Sequence, residues 1–154
     1  MDLDHLVLWK ASYTLNHSEN KVTFLTKSVK SILKQINTNR NDSPQLNLLV
    51  NKSFSCDPLS QKDFYFSDNF WATKSLLLAT HLYKTMNKPF PHPALDSTAK
   101  THLKRIETII KQCNNSKSDN YIPVSPTKLF DSRLIHSLIS LYPLNLFSPE
   151  HPLI

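Results

Sequence analysis

Asn69-Phe70-Trp71-Ala72-Thr73-Lys74-Ser75-Leu76-Leu77-Leu78-Ala79-Thr80-His81-Leu82-Tyr83-Lys84-Thr85-Met86 is the stretch whose reading decides the fold. It reads as a helix, with Asp68 placed to cap its start and Pro89 preventing much continuation beyond Met86. At helical spacing Trp71, Ala72, Ser75, Leu76, Leu78, Ala79, Leu82, Tyr83 and Met86 share one arc of roughly 160°. Phe70 and Leu77 fall outside that arc, among Lys74, His81 and Lys84. A helix this apolar is expected to be central, and its two off-arc residues are expected to lean on something outside the chain.

The chain around it has 154 residues, a single-domain length that can bury roughly two-thirds of its unfolded surface. Glycine is absent altogether. That disfavours the Walker A loop, the Rossmann fingerprint, the nucleophile elbow and the kinase phosphate loop, which need close backbone approach or positive φ. Tight two-residue hairpins are disfavoured as well, so the fold class predicted is all-α. Asn can take the left-handed position at helix C-termini in place of glycine.

Working outward, Ser18 and Glu19 open a helix over residues 19–37, with Val22, Leu25, Val29, Ile32, Leu33 and Ile36 on one face. Lys27, Lys30 and Lys34 form the opposite stripe. Residues 2–15 suggest a short helix, and residues 44–50 fit a short helix or a buried strand equally well. Residues 51–67 read as an irregular loop whose aromatics Phe54, Phe64, Tyr65 and Phe66 pin it to the core. The prolines of residues 88–93 make a stiff spacer.

A further helix is expected over residues 95–113, with Leu95, Ala99, Leu103, Ile106, Ile110 and Cys113 inward and Lys100, Lys104 and Lys111 outward. Ser125 and Pro126 look like the cap and first position of a last helix. Its buried side is predicted to carry Phe130, Leu134, Leu138, Leu141 and Tyr142, with Pro143 ending it. The tail, residues 143–154, is too apolar to float freely: it packs back on the domain or docks on a partner. The whole reads as one compact helical domain of about four to six helices.

The chemistry is sparse. None of the seven histidines forms an HExxH motif or stands at zinc-ligand spacing from Cys56 or Cys113. Acidic residues occur singly. Cys113 with His102 could be imagined as a nucleophile and its base, but the place of Cys113 on an apolar helix face reads better as core. Ser125-Pro126-Thr127-Lys128 has the form of a proline-directed kinase site as well as of a cap. No catalytic residue, metal or cofactor is therefore expected, and no enzyme.

Net charge is +6 and the pI about 9.3, which favours acidic partners or nucleic acid. Two cysteines without a CxxC, no leader-like N-terminus and no apolar run of membrane length predict an intracellular protein of nucleus or cytoplasm, with no membrane association. The leading expectation is a non-catalytic protein–protein interaction module, a small subunit or adaptor. It binds its partner through Phe70, Lys74, Leu77 and His81, with Leu144, Leu146 and Phe147 of the tail. The alternative is a nucleic-acid-binding or chromatin-associated accessory domain using Lys27, Lys30, Lys34, Lys100, Lys104 and Lys111 in non-specific phosphate contacts.

Overall fold

The computed structural model describes Thr23, Thr26, Lys27, residues 29–31, Lys34 and residues 62–87, 95–114, 121–129 and 132–154, with main chain alone at 95 and 132–135. These residues are helical or irregular, and no strand occurs among them. The expectations for residues 2–15, 44–50 and 88–93, and for Phe54 and Phe130, lie outside them.

The decisive stretch forms α1, Phe66–Thr85. It begins three residues earlier than its sequence suggests, and Asp68 is not its cap. Tyr65 holds the cap position without a side-chain hydrogen bond, and Asp68 sits in the first turn, where a carboxylate suits the helix dipole. The first helical N–H, that of Phe66, donates instead to Val124 O at 3.1 Å. A neighbouring segment thus replaces the missing side-chain cap. At the far end Asn87 adopts φ 52 and its N–H donates to Lys84 O. Asparagine here takes the left-handed position that glycine usually fills.

α1 is buried almost all round. Beyond the predicted arc, Phe66, Asn69, Phe70, Thr73 and Thr80 are also buried, while Trp71 and Met86 are only half-buried. The polar members of this set need partners in a dry interior. Asn69 Nδ2 donates to Tyr65 O, Thr73 Oγ1 to Asn69 O and Thr80 Oγ1 to Leu76 O, at 2.8–3.0 Å. Hydroxyls bonded to the preceding turn of their own helix can face neighbours as if apolar. That is how a helix of mixed composition comes to be enclosed.

α2, Leu95–Asn114, packs against α1 and buries Ala99, His102, Ile106, Ile109 and Ile110, the three isoleucines in one cluster with Phe66 and Phe70 of α1. Its N-terminus carries the Asp96–Lys100 ion pair at 2.7 Å. Thr23, Thr26, Lys27, residues 29–31 and Lys34 are helical, with Val29 buried and the three lysines exposed, as the stripe predicts. Thr26 and Tyr83 share a hydroxyl hydrogen bond of 2.6 Å, which ties these residues to α1.

The last helix departs most from expectation. Residues 121–129 contain no helix, and Ser132–Ser140 is a 3-10 helix, η1, packed on α1. In a 3-10 helix, side chains three apart eclipse. Ser137 and Ser140 therefore line the buried side, with Ser137 Oγ on Pro123 O at 3.0 Å and Ser140 Oγ on Ser137 O at 2.9 Å. The change of period turns Leu138 outward to 53% exposure, and Tyr142 beyond it stands 81% exposed. Both were expected in the core.

One apolar cluster joins Phe64, Phe66, Phe70, Ile106, Ile109, Ile110, Ile122, Leu144, Phe147 and Leu153. It draws on the start of α1, the second half of α2, residue 122 and the tail. The tail thus packs back on the domain.

Candidate functional site

At helical spacing Phe70, Lys74, Leu77, His81 and Lys84 follow one line along α1. The structure divides that line. Phe70 at its N-terminal end is fully buried, Lys74 and Leu77 are half-buried, and His81 and Lys84 are exposed. Phe70 is thus a core residue and no part of an open surface. Its cover is the tail, since the Phe147 ring meets the Phe70 ring edge-on with centroids 5.6 Å apart. His151 in turn stacks on the Phe147 ring, with centroids 4.4 Å apart. Leu144 is buried in the same cluster and Leu146 packs against it half-buried. Two features expected to meet a partner, the off-arc phenylalanine and the apolar tail, meet each other. The signal was present in the sequence as two separate apolar surpluses.

What remains open on the line is Lys74, Leu77, His81 and Lys84, about 15 Å of helix. On the opposite count, Lys27, Lys30, Lys34, Lys100, Lys104 and Lys111 are all exposed, with Lys100 paired to Asp96.

A polar knot that sequence reading missed lies at the start of α1. Asp63 is buried, and its carboxylate accepts Ser125 Oγ at 2.6 Å, Thr127 Oγ1 and Phe64 N at 2.8 Å. Ser125 Oγ in turn accepts Lys128 N at 2.9 Å, closing a turn rather than capping a helix. Burial is the largest single influence and raises the carboxyl pKa. The bonds from Ser125, Thr127 and Phe64, with the nearby Lys128 charge, outweigh it and hold Asp63 below the usual carboxylate value. Ser125, the candidate kinase target, is itself fully buried in this knot.

Cys113 and His102 do not form a pair. They are eleven positions apart on α2, roughly 16 Å along its axis. Cys113 Sγ faces Pro126 O at 3.9 Å, and burial pushes its thiol pKa up. In a Cys56→Ser background, alkylation of native Cys113 at pH 7.5 is therefore expected to run roughly tenfold slower than that of a free thiol. A rate equal to the free thiol's would refute its burial.

Among the described residues no group of three or more His, Cys, Asp or Glu side chains converges as a metal site would require. No helix among them is long and apolar enough to cross a membrane. No protein-family model matches the chain, and no match is found among curated proteins or solved structures.

Proposed function

We propose that the chain is a single all-α domain, a compact bundle of about four to six helices, that acts as a non-catalytic protein-interaction module within a larger assembly. The observation that carries this reading is the half-open line on α1. The helix is packed by α2 and η1 and tied to Thr26, yet it keeps Lys74, Leu77, His81 and Lys84 part-exposed or exposed. A half-buried leucine flanked by cationic and imidazole side chains suits an apolar contact with an acidic rim. An intracellular setting fits the same reading.

The test is affinity capture with wild-type chain and a His81→Glu/Lys84→Glu variant, identical in melting temperature. Reversing charge at these two exposed positions is expected to lower capture of a specific partner roughly tenfold or more. Equal capture by the two proteins would count against the α1 line.

The exposure of all six stripe lysines supports a second reading, non-specific nucleic-acid binding. A titration with duplex DNA at low and moderate salt separates the two. Binding that weakens steeply with salt supports it, and no binding at low salt removes it.

A further inference from the structure

We infer that Ser125 is a phosphorylation site that the Asp63 knot keeps masked, so that phosphate and knot exclude each other. Three serines in the chain precede a proline, Ser43, Ser125 and Ser148, and Ser125 alone has a lysine or arginine three residues on. That pattern suits a proline-directed kinase with an acidic pocket for the third position. The fold presents the two halves of the pattern differently. Thr127 is exposed and Pro126 and Lys128 are half-buried, whereas the Ser125 hydroxyl is turned inward onto Asp63. The residues a kinase reads lie at the surface, and the atom it modifies does not.

The mask is held by side chains rather than by a regular element. Ser125 Oγ donates to the Asp63 carboxylate and accepts Lys128 N, and Thr127 Oγ1 donates to the same carboxylate. Ser125 N closes the turn on Lys128 O at 3.2 Å. Opening it breaks these bonds without unwinding α1 or α2. The freed Ser125 oxygen attacks the terminal phosphorus of ATP and the bond from that phosphorus to the bridging oxygen breaks. ADP leaves, and the hydroxyl proton passes to the kinase's base. The product carries nearly two negative charges beside Asp63, and its ester oxygen has no proton left to donate. Reclosure would bury phosphate against carboxylate, so repulsion and lost hydration hold the turn open. The consequence reaches α1. Val124, whose carbonyl accepts Phe66 N at 3.1 Å, directly precedes Ser125, and Ile122 belongs to the apolar cluster. An open turn therefore loosens the start of α1 and uncovers Cys113, whose Sγ faces Pro126 O.

The experiment treats full-length chain, in the Cys56→Ser background, with a purified proline-directed kinase and Mg-ATP. Phosphate on Ser125 is followed by peptide mass spectrometry. Wild type is expected to be modified slowly, in proportion to how often its turn opens. Asp63→Asn removes the charged acceptor and should speed modification at least roughly tenfold. Tyr83→Phe removes the hydroxyl bond to Thr26 at the other end of α1, and should leave the rate within about twofold of wild type. Isolated phosphorylated chain should melt below the unmodified chain and alkylate Cys113 roughly tenfold faster, at the free-thiol rate. Three results would overturn the inference: no phosphate on Ser125 of Asp63→Asn, an equal gain in both variants, or a phosphorylated chain that keeps its melting temperature and its shielded thiol. None of them bears on the Lys74–Lys84 line, which the inference does not use.

Discussion

Phe70→Ala is expected to lower folding stability by about 3–5 kcal/mol, a large share of the total for a domain of this size. The ring is fully buried, contacts Phe147 edge-on and belongs to the cluster that joins both long helices to the tail. Removing it leaves a cavity between elements distant in sequence, which cannot collapse without moving the tail. In thermal unfolding the loss amounts to roughly 10 °C or more. His81→Ala, eleven residues on along the same helical line, should change stability by no more than about 0.5 kcal/mol, since His81 is exposed. Comparable small effects at both positions would mean that Phe70 faces solvent.

Asp63→Ala carries the second large effect. It strips acceptors from the Ser125 and Thr127 hydroxyls and from the Phe64 N–H, in a knot joining residues 62 positions apart. Groups left unsatisfied in this way cost about 1–3 kcal/mol each when buried. Because Thr127 is partly reached by water, the expected total is about 3 kcal/mol. The pH dependence has a definite sign. Asp63 is held below its unfolded value of 3.8, so the folded state binds fewer protons than the unfolded state through that range. Its contribution is present in full above the unfolded value and is lost as pH falls through the lower folded value. The difference in melting temperature between wild type and Asp63→Asn should therefore be constant near neutrality and shrink below about pH 4. A difference that does not shrink at all as pH falls below that value would mean that the ionised carboxylate is not what the knot needs.

The two long helices were legible because their evidence is local. Ile106 and Ile110 repeat at helical spacing, Asn87 and Asn114 stand where the chain must turn, and the lysines fall on one side of α2. The aromatic run Phe64, Tyr65, Phe66 was rightly expected to reach the core, where all three are buried. What escaped was tertiary. Nothing within five residues of Asp63 announces Ser125, and nothing near Phe70 announces Phe147. Asn69, Thr73 and Thr80 read as polar on any hydropathy scale, although bonds to their own helix let them be enclosed. At the last helix an α-period predicted Leu138 inward, and a period of three placed Ser137 and Ser140 there instead.

Of the residues first assigned to a partner, Phe70, Leu144 and Phe147 serve the fold, and Leu146 packs half-buried beside them. Lys74, Leu77 and His81 keep the exposure a contact would need. This division rests on one contact, the Phe70–Phe147 pair. A double-mutant cycle with Phe70→Leu and Phe147→Leu in chemical denaturation tests it directly. The rings' edge-to-face contact predicts a coupling energy of about 1 kcal/mol, with each single substitution destabilising on its own. Strict additivity, within about 0.3 kcal/mol, would contradict the contact and leave both side chains available to a binding surface.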